Sequence, residues 1–179
     1  MLKMVGVCID LVNKYGSNHT PPLNLTPELV LDLNRITVHG VEPRAGEYRT
    51  KPRFVAEHIP PKSGDLPSQV QEMCDHVNVS KDPFYVAAFV LWRVCWIHPF
   101  DDGNGRVARA LSYICLCGLL RESVVTEFLS QIMHRDDEYY AALEAADRAW
   151  AASDQDYRDS EVVREMQDLL FDIYVNLEP

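Results

Sequence analysis

The sequence predicts an all-α fold, a helical bundle around one central buried helix, with a small β-hairpin flap set into it. Three observations predict this. Apolar residues recur at helical spacing along most of the chain. One run, FYVAAFVLWRVCWI at 84–97, is apolar nearly all round, the pattern of a helix buried on every side. Only residues 41–65 break the period, with Pro, Gly and charged residues crowded together.

The elements follow in order. Thr26-Pro27-Glu28 is a helix start, with Thr26 as N-cap and Pro27 at the first helical position. Leu29, Leu33 and Ile36 share a face, and Gly40 can end the helix. In the broken region, EYR and RFVAEH are short enough to pair as a hairpin around Thr50 to Pro52, giving a flap over about 46–60. Helical period resumes at 67–78, with Val70, Met73 and Val77 on one side. Asp82-Pro83 opens the central helix, again as cap plus Pro. It ends at His98-Pro99, because Pro disfavours helix at the residue before it. After Gly105 the period returns, with Val107, Ala110, Leu111 and Ile114 on one face and Arg106, Arg109 and Tyr113 on another. Weaker helical segments span 122–134, 136–152 and 160–177, the last two with Asp136 and Ser160 as candidate caps. Trp92, Trp96 and Trp150 read as core aromatics, and His58 as a surface loop residue.

A length of 179 residues suits one domain over 1–179, with its core over about 25–150. Seventeen basic against 27 acidic residues give a net charge of -10, which argues against non-specific binding to nucleic acid or to an anionic membrane. The most apolar helices carry Arg and fall short of the about 20 residues that cross a bilayer. The start has no signal-peptide pattern. The expected location is therefore cytoplasmic, with a secreted effector still open. Five cysteines, an odd number without zinc spacing, read as reduced core residues.

The stretch HPFDDGNGRVAR at 98–109 is neither ordinary core nor ordinary loop. Taken as a loop running into a helix, it is a candidate polyphosphate cradle. Asn104 is a good N-cap for a helix beginning near Gly105. A helix start offers unpaired N–H groups and a positive dipole end to an anion. Gly103 and Gly105 allow a sharp turn and close approach of a phosphate. Arg106 and Arg109, one turn apart, can clamp phosphate oxygens. Asp102 suits Mg²⁺ bridging phosphates, and His98 suits a general base near neutral pH. Phe100 reads as a buried plug.

The same stretch resembles the motif of the Fic domain family, H-P-F-x-[D/E]-G-N-G-R-x-x-R, with each specified position met. AGEYR at 45–49, HIPP at 58–61, LPSQVQEMCDHVN at 66–78 and RDDEYYAALEAADR at 135–148 extend the likeness over about 25–150. The resemblance implies a protein adenylyltransferase that moves AMP from ATP to a Ser, Thr or Tyr hydroxyl of a target protein and releases pyrophosphate. It implies His98 as the base, Asp102 as the Mg²⁺ ligand, Gly103, Asn104 and Gly105 as the anion hole, and Arg106 and Arg109 on the terminal phosphates. The flap near Thr50 to Ile59 would dock the target as an added strand. Many relatives carry an inhibitory [S/T]-x-x-x-E-[G/N] helix. Ser68…Glu72 and Ser123…Glu127 have the spacing but are followed by Met73 and Phe128, so neither is read as that motif. The chain is then uninhibited alone, or held in check by a separate antitoxin-like partner. Two alternatives stand beside this reading. One is a transferase of the same fold moving UMP, GMP or phosphate. The other is a silent nucleotide- or protein-binding module.

Overall fold

The structure is a computed structural model and describes residues 24–56, 58–120, 124, 127–153 and 160–177. Its elements are α1 (Pro27–Thr37), α2 (Leu66–Val79), α3 (Pro83–Ile97), α4 (Asn104–Leu120), α5 (Glu127–His134), α6 (Asp136–Ala152) and α7 (Arg164–Val175). Short 3₁₀ turns at Ser63–Asp65 and Ser160–Val163 lead into α2 and α7. The all-α class holds, and no helix among the described residues is long and apolar enough to cross a membrane.

The helix starts show how local chemistry sets the elements. Thr26 accepts a hydrogen bond from the Leu29 N–H, and Pro27 fills the first position of α1. Asp82 accepts from the N–H groups of both Phe84 and Tyr85, satisfying two of the donors that a helix start leaves open. The apolar run between them and His98 then forms α3, buried from Val86 to Val94 without a break. It packs along α4, which brings Val107, Ala108, Ala110, Leu111 and Ile114 to the same core. The two most buried helices of the bundle therefore meet at the 98–103 connection.

Several boundaries differ from the sequence reading. Helix α1 stops at Thr37, and Gly40 lies in the turn beyond it with φ +77°. Helix α6 starts at Asp136, so Asp136 is its first residue and not its cap, and no side chain caps it. Of the segment 122–134, the helix covers Glu127–His134, and residues 121–123, 125 and 126 lie outside the described residues. Cys8 lies outside them too, while Cys74, Cys115 and Cys117 are buried and Cys95 is partly buried.

The hairpin differs most. Among the described residues there is no strand, and the flap region is extended chain closed by one antiparallel bridge, Val55 to His58. The two residues exchange both backbone hydrogen bonds, at 3.0 and 2.9 Å. The turn thus sits at Ala56, which takes φ 51°, and not at Thr50 to Pro52. Alanine carries no turn signal, so the sequence pointed to the wrong place.

His58 is also not a free surface residue. Its Nε2 lies 2.7 Å from the Trp96 carbonyl oxygen and its ring tilts over the Trp96 indole. The three tryptophans form one cluster with Arg93, whose guanidinium stacks 4.2 Å from the Trp96 ring centre and 5.0 Å from that of Trp150.

Candidate functional site

The turn between α3 and α4 is built from the His98 backbone outward. Pro99 prevents α3 from continuing, and His98 closes the helix in the left-handed region at φ 48°, ψ 58°, its N–H bonded to the Val94 carbonyl. A left-handed histidine is uncommon and persists where its surroundings fix it. Here they do. The Arg49 Nε donates to the His98 carbonyl at 2.7 Å, and the Arg49 N–H donates to the Pro99 carbonyl at 2.9 Å.

Phe100 is the plug that the sequence suggested, buried and stacked on Tyr48. Asn104 differs from its expected role. It is the first residue of α4, and its side chain points back into the loop. Its Oδ1 accepts from the Phe100 N–H and its Nδ2 donates to the Phe100 carbonyl, both at 3.0 Å. These two bonds close residues 100–104 into a ring. The Asn104 side chain is therefore committed to the loop, and its remaining capacity toward an anion is its backbone.

Gly103 takes φ +85°, and a Cβ there would lie 2.5 Å from Val38 Cγ1. Only glycine fits both constraints. The contact brings the end of α1 against the loop, where buried Asn34 bridges the two. Its Nδ2 donates to the Asp102 carbonyl at 2.9 Å and its Oδ1 accepts from the Gly46 N–H at 2.8 Å. Neither Asn34 nor Arg49 was singled out from the sequence. The one clue to Asn34 was its place four residues after Val30, which turns a polar side chain toward the buried side of α1.

The two aspartates divide the work of the turn. Asp101 is mostly buried and pairs with Arg53 at 2.7 Å and Arg44 at 3.8 Å, tying the flap segment to the loop. Asp102 is half exposed. One of its oxygens accepts from the Gly103 N–H, and the other pairs with Arg106 at 2.7 Å. Arg106 also donates to the Thr37 carbonyl at the end of α1. Arg109 is different. Its Nε is buried without a hydrogen-bond partner among the described residues, and its Nη1 lies 3.4 Å from where a Cβ of Gly105 would stand. Gly105 thus lets the second arginine lie along the first turn of α4.

Burial pushes the His98 imidazole below its usual range, and the nearby Arg49, Arg53 and His58 push the same way. A hydrogen bond to the Cys95 backbone opposes them in part. The net effect favours the neutral ring, the form that accepts a proton. Among the described residues no three His, Cys, Asp or Glu side chains gather as a metal cage. A lone half-exposed carboxylate beside a helix start fits Mg²⁺ all the same, since that ion takes one or two carboxylates and fills its remaining positions with phosphate oxygens and water.

A cavity of about 480 Å³ opens at the base of the flap. Ile59, Gln69, Glu72, Arg93, Trp96 and Trp150 are among its walls. Glu72 of the Ser68…Glu72 pair thus faces the tryptophan cluster.

Comparison with known proteins places these residues in context. The Fic/DOC family pattern matches residues 24–116, which contain the whole turn. "Protein adenylyltransferase Fic" of Drosophila willistoni is 36% identical over 109 residues, covering 58% of this chain and 22% of that protein. The protein of the same name from Nematostella vectensis is 36% identical over 94 residues, covering 49% and 22%. This chain matches about a fifth of the length of those relatives. Among solved structures, a Fic domain containing signaling protein from Bacteroides thetaiotaomicron aligns over 96% of this chain and 68% of its own, with TM-score 0.70 and 21% identity. Fic-1 from C. elegans aligns over 97% and 50%, with TM-score 0.65 and 21% identity. These two likenesses establish the fold.

Proposed function

Since the chain belongs to the Fic/DOC family, we propose that it is a protein adenylyltransferase. It would transfer AMP from ATP to a Ser, Thr or Tyr hydroxyl of a target protein. The observation that carries this reading is His98, fixed at the head of a turn whose other end carries Asp102, Arg106 and Arg109. The relatives named adenylyltransferases support the same reaction class.

The chemistry assigns each group a task. His98 accepts the proton of the target hydroxyl as that oxygen forms its bond to the α-phosphorus. The bond from phosphorus to the pyrophosphate oxygen breaks on the opposite side, and pyrophosphate leaves. The backbone of Gly103, Asn104 and Gly105 offers the start of α4 to phosphate oxygens. Arg109, with its unsatisfied Nε, takes the terminal phosphates. Arg106 joins it by exchanging its bonds to Asp102 and the Thr37 carbonyl for bonds to the nucleotide. Magnesium, when bound with the nucleotide, would be held by Asp102 and would offset charge on the leaving group. The flap segment, with exposed Phe54 and Ile59, receives the target. A separate antitoxin-like partner that covers Arg109 would keep the nucleotide out.

Radiolabel transfer in a cell lysate tests the reading. Label from α-labelled ATP, absent from γ-labelled ATP and lost in His98→Ala, is the expected result. Label from the γ position alone would move the chain to phosphate transfer. Label from UTP or GTP in place of ATP would change the nucleotide and keep the chemistry. Nucleotide binding with no transfer of any label would leave a binding module.

A further inference from the structure

The largest polar side chain buried near the turn has no part in the reaction as described. Arg49 is 1% exposed. It stands at the head of the flap segment, and among the described residues its guanidinium donates to three carbonyl oxygens and to no carboxylate, with Asp101 acting on it through charge alone. Nε donates to His98 at 2.7 Å, Nη1 to Lys51 at 3.0 Å and Nη2 to Pro61 at 2.6 Å. Its own N–H donates to Pro99. One fork thus grips the residue that ends α3, the entry of the flap and its exit.

Burying a guanidinium among neutral acceptors is costly, and burial indeed lowers the affinity of Arg49 for its proton. A neutral side chain of similar length would avoid that cost. What it would not supply is a planar donor that reaches three carbonyls from three segments at fixed angles. The carbonyl of His98 is also the group that a left-handed residue turns away from the helix ladder, so the Arg49 bond falls where the strained conformation needs a partner.

We propose that Arg49 is a positioning residue that holds His98 in its left-handed turn and fixes the flap to it, so that the base and the docked hydroxyl keep one register. The proposal rests on the reading of His98 as the base. The charge of Arg49 adds a second effect. Burial lowers the proton affinity of the His98 ring most, and the charge of Arg49, with Arg53 and His58, lowers it further, against the hydrogen bond that the ring donates to the Cys95 carbonyl.

The test uses Arg49→Lys and Arg49→Met in the full chain, with thermal unfolding followed on each. Lysine keeps the charge and loses the fork. It is expected to fold, to titrate His98 as the unchanged protein does, and to move the His98 Cα chemical shift away from its left-handed value. Its kcat for label transfer is expected to fall about 100-fold with the KM for nucleotide unchanged, the size of effect that misplaced reacting groups produce. Methionine, where it folds, adds a rise of the His98 pKa and moves the acid limb of the pH profile upward. A folded Arg49→Lys with unaltered His98 shift and unaltered kcat would overturn the proposal, since charge alone would then suffice. Absence of transfer in the unchanged protein would sink the adenylyltransferase reading instead, and the His98 shift in Arg49→Lys would still decide what Arg49 holds.

Discussion

The turn at 98–106 and the flap segment at 50–61 lie side by side and are built on opposite plans. In the turn, nearly every polar group that could wander is tied. Asn104 rings Phe100, Asn34 holds the Asp102 carbonyl, Arg49 holds His98, and Arg106 holds Asp102. In the flap, one bridge closes the chain, and Phe54 and Ile59 are 75% and 70% exposed. The turn is suited to chemistry, where reacting groups must be in place before the substrate arrives. The flap is suited to docking, where apolar side chains without partners in the free protein gain them on binding. The contrast predicts that substitutions in the turn cost stability, and that substitutions in the flap cost recognition.

The largest effect belongs to Asn104→Ala. It leaves the buried N–H and carbonyl of Phe100 without partners, at about 3 kcal/mol for the pair. A better helix former at the start of α4 returns only about 0.5 kcal/mol. Urea unfolding measures the loss, and nucleotide affinity should fall with it because the loop no longer closes. Stability within about 0.5 kcal/mol of the unchanged protein would break the claim that this ring holds the turn.

Gly103→Ala comes next, at about 2 kcal/mol, from the left-handed backbone and the 2.5 Å contact with Val38. The two causes are separable. Val38→Ala made together with Gly103→Ala removes the contact and keeps the backbone strain. The double variant should therefore lose less than the sum of the two single changes. Simple additivity of the two would show that α1 does not press on the loop.

The plan of the turn was more legible than the plan of the flap, for a physical reason. Helix caps at Thr26 and Asp82, the all-round apolar α3 and the glycines of the cradle act within a few residues of themselves, so their pattern is written locally. The groups that hold the turn act across the fold. Asn34 reaches a carbonyl 68 residues later in the chain, and Arg49 one 49 residues later. Nothing in a linear reading marks a buried arginine that binds only carbonyls. Asn at a helix start usually caps the helix from the position before it, whereas Asn104 is the first helical residue and its inward turn follows from the buried Phe100 that it serves. The flap turn at Ala56 was missed for the lack of any turn residue there. His58 was read as a free loop residue because its partner, the Trp96 carbonyl, lies 38 residues away.

Between the two regions stands Asp101, and Asp101→Asn sharpens the boundary. It weakens the pairs to Arg53 and Arg44, so about 1 kcal/mol of stability is expected to go, measurable by urea unfolding. Nucleotide affinity should stay, since Asp102, Arg106 and Arg109 are untouched. Protection of the flap amides from hydrogen exchange should drop, since their tie to the turn is weakened. A drop in nucleotide affinity instead would mean that the turn and the flap are one unit and the contrast is false.

The smallest effect on stability is also the most informative about the flap. Phe54 is exposed and has no described polar or ring partner, so Phe54→Ser should leave the unfolding midpoint within about 0.5 kcal/mol of the unchanged protein. Nucleotide binding should be equally unmoved. If the flap receives the target, the aromatic ring is the side chain with the most apolar surface to bury there, and such anchors carry about 2 kcal/mol at protein interfaces. Transfer to the target should then fall by raising the KM for that protein about 30-fold, with kcat at saturating target unchanged. A fall in kcat with the KM unmoved would place Phe54 in the alignment of the hydroxyl and not in docking. No change in either would turn attention to the cavity beneath Ile59 as the surface that the target meets.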